Sequence, residues 1–334
     1  MISTLLLIAA LILSVAIGPV FIPPQAMLAL LTAKWSGTIL STDAREMFST
    51  ILFEIRLPHA LLILLTGAAL AGSGASYQGL FRNPLADPYL IGVASGAGLG
   101  AVIAMSICWP ADLPGLYIIP AAAFVGALGT VLIVYSLARI GKSLPTTTLI
   151  LAGVAISSFA TSLTSFLMLR SNEELRRATG WLLGGSLMSG WQPVIALLPY
   201  VLLGLAVLLA SGHALNVLQF GEEQASQMGL PAERVKFLLI LAASLTSASA
   251  VAFSGIIGFI GLIVPHLVRL LWGADYRRLI PLSIVSGGTA LLVADLLSRV
   301  VLAPQILPVG IVTALAGAPF FLWVLRRSKN QGYW

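Results

Sequence analysis

The chain is a succession of apolar runs, each about 20 residues long, separated by short segments that carry most of its charges. A helix of about 20 apolar residues is long enough to cross the hydrocarbon core of a bilayer. Only helices and closed barrels span that core, because it offers no hydrogen-bonding partner to backbone polar groups. The pattern predicts an all-α polytopic membrane protein, a single transmembrane domain over residues 1–334, with ten transmembrane helices at 2–22, 57–80, 89–109, 114–138, 147–169, 193–211, 237–253, 254–272, 280–298 and 306–325.

Composition excludes a water-soluble protein, since 58% of the residues are hydrophobic and 9% are charged, whereas soluble domains carry about 25% charged residues. The basic residues behind the net charge of +6 are scattered among the apolar runs, so we predict no nucleic-acid partner. With both termini in the cytoplasm, the inside segments hold eleven Lys and Arg residues and the outside segments seven. That bias predicts a multi-pass protein of the inner (plasma) membrane, embedded in the lipid bilayer, with both termini cytoplasmic.

Two apolar runs allow more than one interpretation. Residues 2–22 exceed the core of a secretion signal, about 7–15 residues, and no Lys or Arg precedes them, so we interpret them as the first span. The run from 237 to 272 is too long for one helix. Because Lys236 and Arg269 at its ends are both assigned to the cytoplasm, the run must cross twice, and we divide it near Ser254 and Gly255.

Three segments do not span the membrane. Residues 23–56 are charged and predict an external helical connection. Residues 171–192 predict a polar loop followed by a half-helix at the outer face. On the cytoplasmic side, residues 212–236 form a long polar stretch, in which acidic residues indicate a helix start and Gly-Leu-Pro a stop. We expect two short helices there, joined by Gly221 and lying outside the bilayer.

Chemistry-bearing residues are sparse. Asp295 lies well within a span, and Arg299 follows four residues later on the same helical face, where the two can pair. One cysteine and three widely separated histidines give no ligand spacing, so we predict no metal site, no catalytic residues and no cofactor. Gly141-Lys142-Ser143 ends like a phosphate-binding loop, but Ser136 occupies the position of the required glycine. We therefore expect a separate ATPase to bind any ATP. Ser95–Gly100, with its glycines in an apolar run, predicts close helix packing.

Several long blocks, in order, resemble the permeases of ATP-binding-cassette (ABC) importers for iron-siderophores, haem and cobalamin. They are RLPHALLILLTGAALAGSGASYQGLFRNPLADPYLIGVASGAG (56–98), LILAGVAI (149–156), SGIIGFIGLIVPHLVRLLWGADYRRLIP (254–281), GGTALLVADLLSR (287–299) and LPVGIVTALAGAPFFLWVLRR (307–327). The resemblance implies the ten-helix fold of type II importers. It also implies a homodimer with the transport path at the subunit interface, two ATPase subunits and an external (periplasmic or extracellular) substrate-binding protein. The substrate is left open among ferric siderophore, haem and cobalamin. An ion-coupled secondary transporter is the alternative, disfavoured by the scarcity of buried ionisable groups.

The resemblance also implies roles for individual residues. Within a coupling region of about 212–233, the segment that would contact the ATPase comprises Gly221, Glu222, Glu223, Gln224, Ala225, Ser226, Gln227, Met228, Gly229 and Leu230. Arg56 and Arg299 match external arginines that pair with acidic residues of the binding protein, although anchoring at the membrane interface is an alternative for both. His59 stands where the family often has a further arginine, so its docking contact is expected to be weaker or pH-sensitive.

Overall fold

The computed structural model describes residues 2–18, 22–36, 43–107, 115–141, 144–169, 173–186 and 188–329. Helices account for most of these residues. The first half contains α1 (Ile2–Ala16), α2 (Pro24–Ser36), α3 (Asp43–Thr50), α4 (Leu57–Leu80), α5 (Val93–Met105), α6 (Gly115–Ala138) and α7 (Thr146–Met168). The second half contains α8 (Glu173–Leu182), α9 (Trp191–Ala210), α10 (Gly212–Leu218), α11 (Glu222–Gln227), α12 (Ala232–Ser254), α13 (Ile260–Trp272), α14 (Tyr276–Val300) and α15 (Val309–Lys329).

Ten of these helices are apolar, and they coincide in order with the ten predicted spans. Six are long and apolar enough to cross a bilayer, α1, α5 and α13 are shorter, and the apolar part of α15 is Val309–Val324. The prediction of an all-α protein with ten transmembrane helices is thereby confirmed. Lys142 and Ser143 of the Gly-Lys-Ser motif lie outside the described residues.

Several helix ends differ from the predicted ones. Helix α1 ends at Ala16, six residues short of the predicted end of its span. Helix α5 begins at Val93 because a 3₁₀ turn over Pro88–Ile91 precedes it, with the Asp87 carboxylate accepting from the Tyr89 N–H at 2.8 Å. A π-helical turn joins α3 to α4, so the helical chain runs unbroken from Asp43 to Leu80. At about 1.5 Å per residue, it is longer than the hydrocarbon core is thick.

The apolar run at 237–272 divides as predicted, since α12 ends at Ser254 and α13 begins at Ile260. Gly255 between them has φ +75° and packs against the backbone of Trp181, so a side chain at this position would be both strained and obstructed.

The prediction for residues 171–192 is wrong in its order. The polar residues from Glu173 onward are already helical in α8, and the half-helix ends at Leu182. Acidic side chains favour a helix N-terminus, so the polar residues that were predicted to form a loop begin the helix instead. Gly184, with φ +84°, follows that end.

Helix α4 is the centre of the bundle and packs against α14, α12, α13 and α9. Glycines let it approach two neighbours closely, because Gly67 lies on the backbone of Gly287 and Gly74 on that of Gly261. The predicted packing role of Ser95–Gly100 is confirmed, since Gly96 and Gly100 lie against the α6 backbone. Helix α12 is the most enclosed span, with 72% of its apolar window buried, whereas α7 has 22%.

Candidate functional site

A cavity of about 590 Å³ lies where the start of α4 meets the end of α14. The charge pattern assigns this end of the bundle to the outside, and we refer to the space as the outer cavity. Its charged and titratable lining residues are Arg56, His59, Arg177, Asp295 and Arg299. All three predicted docking residues therefore line one cavity, although α4 and α14 are far apart in the sequence.

Two arginines of the outer cavity bind the C-terminal end of α1. Arg56, which is 7% exposed, donates through Nη1 to the carbonyls of Val15 at 2.9 Å and Ala16 at 3.0 Å. Arg299 donates to the carbonyls of Ser14 at 3.1 Å and Ile17 at 3.2 Å. The last carbonyls of a helix lack intrahelical donors and carry a partial negative charge, so these cations satisfy them.

Asp295 completes the cluster. Its side chain is 2% exposed, and its two oxygens lie against different side chains, Oδ2 against Arg299 and Oδ1 against His59. Arg299 Nη2 lies 2.8 Å from Oδ2, which confirms the predicted pair, and His59 Nε2 lies 2.9 Å from Oδ1. A buried carboxylate requires such partners because desolvation is costly. His59 remains 35% exposed to the cavity, and its docking role, like that of the two arginines, stays a prediction.

The predicted coupling region contains two short helices, α10 and α11, as expected, and the segment Gly221–Leu230 contains the second. Gly221 joins α10 to α11 with φ +105°, a backbone conformation that favours glycine. Ala225 of α11 is buried, while Met228 is 57% exposed and Phe220, just before the segment, is 66% exposed. Between the start of α11 and Arg82 lies a groove of about 260 Å³. The segment thus presents polar and apolar groups to the solvent.

Helix α7 exposes hydroxyl groups along one face, although it is apolar enough to span a membrane. The residues of this hydroxyl face are Ser157, Ser158, Thr161, Ser162 and Ser165, of which all but the half-buried Ser157 are exposed. Part of the face borders a cavity of about 370 Å³, whose lining includes Tyr89, Ser95 and Ile256 and no ionisable carboxylate or basic group. A membrane helix with this pattern has an uncharged polar surface that lipid would solvate poorly.

Comparison with known proteins identifies the family of the chain. The model of the FecCD transport family matches residues 6–327. The chain belongs to the FecCD transport family. A cobalamin import system permease protein, BtuC, of Halobacterium salinarum is 47% identical over 283 residues, covering 84% of this chain and 74% of the relative. A hemin transport system permease protein, HmuU, of Yersinia pestis is 39% identical over 301 residues, covering 88% of each chain.

A solved structure described as an inward-facing, metal-chelate type ABC transporter matches this FecCD permease with a TM-score of 0.81, at 31% identity over 97% of both chains. The predicted type II permease fold is thereby confirmed. The protein is the permease subunit of an ABC importer in the inner membrane, and it works with ATPase and binding-protein partners. The alternative of an ion-coupled carrier is disfavoured.

Two polar contacts of the permease were not predicted from its sequence. Asn216 of α10 donates through Nδ2 to Asp275 Oδ1 at 2.6 Å and accepts from the Tyr276 N–H at 2.9 Å. The bond from Asn216, together with one from the Arg277 N–H, holds the pKa of Asp275 below its usual value. The second contact is an ion cluster around Lys236, which is only 4% exposed. Only the i, i+3 spacing of Glu233 and Lys236 offered a sequence signal, because the other contacts join distant segments.

Proposed function

We propose that this permease acts as a homodimer that imports a bulky metal chelate or tetrapyrrole (ferric siderophore, haem or cobalamin) along a path between the two copies. The hydroxyl face of α7 carries the proposal. It offers a bulky ligand hydrogen bonds without fixed charge, which suits passage better than tight ionic binding. Two relatives named as permeases for cobalamin and for hemin supply the substrate class.

A second copy of the chain accounts for the exposure of α7. Residues 157, 158, 161, 162 and 165 recur at intervals that place them on one side of a helix. Leaving this side in lipid would forgo hydrogen bonds that a protein partner or a water-filled path supplies. The low burial of this span, 22% of its window, is what a helix at a subunit interface shows in a single copy.

The two ends of the bundle fit the other two partners. Segment Gly221–Leu230 exposes Glu223, Gln224 and Met228, and we assign it to the ATPase contact. The outer cavity carries three arginines and one histidine against the single carboxylate of Asp295, so it suits acidic residues of a binding protein. Docking through Arg56 and Arg299 requires them to leave the α1 carbonyls, whereas His59 is already accessible.

Transport in proteoliposomes tests the proposed function. The permease would be co-purified with the ATPase of its own cell and supplied with ferric siderophore, haem or cobalamin, each with its binding protein. We expect ATP-dependent uptake of one ligand, abolished by Glu222→Pro or Met228→Asp in the coupling segment. Uptake driven by a proton or sodium gradient without ATPase would refute the proposal and favour a secondary carrier.

Cysteine cross-linking tests the homodimer. In a Cys108→Ser background, Ser158→Cys on the hydroxyl face is expected to form disulfide-linked dimers in membranes. Leu203→Cys on α9, which is 61% exposed but lies on an apolar helix surface, is the matched control and is expected to remain monomeric. Equal cross-linking of both variants would contradict the assignment of α7 to the interface.

A further inference from the structure

Lys236 lies in the second turn of α12, and its side chain is 4% exposed. Lysine is rarely buried this deeply unless it is paired. Its Nζ atom donates to Glu222 Oε2 at 2.8 Å and to the Leu144 carbonyl at 3.0 Å, and it forms an ion pair with Glu233 Oε1 at 2.7 Å. All three contacts lie within the subunit.

The three acceptors belong to three different parts of the fold. Glu222 is the first residue of α11, in the segment assigned to the ATPase contact. Glu233 belongs to the first turn of α12, the most enclosed span. Leu144 lies two residues before α7, the helix that carries the hydroxyl face. One buried ammonium therefore joins the coupling segment, the rigid core and the helix proposed to line the path.

Few other contacts hold α11 in place. The helix has six residues, of which Ala225 is the buried one, and a helix this short has little stability of its own. The Lys236 bonds to Glu222 and Leu144 are charge-assisted, which makes them stronger than neutral hydrogen bonds. They supply a stiff link across which a displacement of α11 would reach residue 144.

We propose that Lys236 is the positioning residue that transmits the ATPase-driven movement of α11 to the cytoplasmic end of α7. The inference rests on the proposed function, in which α11 contacts the ATPase and α7 lines the path between two copies. It adds the connection between them, which the separate assignments of the two helices do not supply.

The cluster contains its own control. Glu222→Gln weakens the link between α11 and α12, whereas Glu233→Gln weakens a contact that lies within α12. Lys236→Met removes the link while keeping the apolar stem. Since Glu222 and Glu233 are 38% and 43% exposed, water can solvate both carboxylates in that variant.

Distances between nitroxide labels test the link without a known substrate. In the Cys108→Ser background, a label at Ser226→Cys reports α11 and a label at Thr147→Cys reports the start of α7, each measured between the two copies. The permease–ATPase complex would be examined with and without ATP and vanadate. We expect both distances to change in the unsubstituted cluster and in Glu233→Gln. In Lys236→Met and Glu222→Gln, the Ser226 distance should still change while the Thr147 change is lost.

The outcomes separate the link from the proposed function. If Lys236→Met keeps both distance changes, the role of Lys236 is refuted while the ATPase contact stands. If the unsubstituted complex retains no ATPase, or its Ser226 distance does not respond to ATP, the proposed function itself fails. If Lys236→Met does not assemble, the contrast between Glu222→Gln and Glu233→Gln decides, and equal behaviour of these two variants overturns the proposal.

Discussion

Replacing Asp295 by Asn is expected to destabilise the permease by about 3 kcal/mol, the lower end of the cost of breaking a buried ion pair. The side chain is 2% exposed and bonds to Arg299 at 2.8 Å and His59 at 2.9 Å. The ion pair with Arg299 accounts for most of this cost, and the hydrogen bond to His59 for about 1 kcal/mol. We expect the lower end of the range because Arg299 would still donate to the α1 carbonyls and His59, which is 35% exposed, could be solvated by water.

Steric trapping in bicelles, which measures the free energy of unfolding in a membrane-like medium, is a suitable assay. Thr289→Ala is the matched control on α14, because the Thr289 hydroxyl bonds only within its own helix, to the Val285 carbonyl. We expect it to cost less than about 1 kcal/mol. A double-mutant cycle with Arg299→Gln should give a coupling energy of about 2 kcal/mol. A cost below about 1 kcal/mol for Asp295→Asn, or a coupling energy near zero, would refute the account of the cluster.

Three further predictions concern other parts of the fold. Hydrogen bonds depress the pKa of Asp275, so its contribution to stability is present above the ordinary carboxyl pKa and is lost as pH falls through the lower folded pKa. Hydrogen exchange should show the amides of α10 protected down to about pH 4. In Asn216→Ala, these amides should exchange at neutral pH. The methyl group added in Gly74→Ala would meet the Gly261 backbone and should lower the free energy of unfolding by about 1–3 kcal/mol. Gly129 has open space around it, so Gly129→Ala should not lower the free energy of unfolding. Burial raises the pKa of Asp87 to about 6, so the stability of the protein should rise as pH falls from 7 through 6. Asp87→Asn should remove this pH dependence and keep the turn cap. Asp87→Ala should lose the cap and lower the free energy of unfolding by about 1 kcal/mol.

Features set by neighbours along the chain were predictable from the sequence. The ten spans, the break at Gly255, the joint at Gly221 and the pairing of Asp295 with Arg299 each depend on a local pattern of apolar, glycine or charged residues.

Contacts that depend on helix packing were not predictable. His59 and Asp295 are 236 positions apart, and Lys236 and Leu144 are 92 apart, so no spacing links them. The half-helix α8 was placed too late in the sequence for a different reason, because its polar first turn lacks the apolar periodicity that marks a span.

The anchoring of α1 has a consequence for the order in which the protein assembles. Its terminal carbonyls accept from Arg56 and from Arg299, and the second of these is made 285 residues after Ser14. The end of α1 therefore completes its hydrogen bonding only when α14 has been synthesised and has inserted. Until then the carbonyls of Ser14 and Ile17 must be satisfied by lipid headgroups or water, so a late step of assembly joins helices that are far apart in the chain.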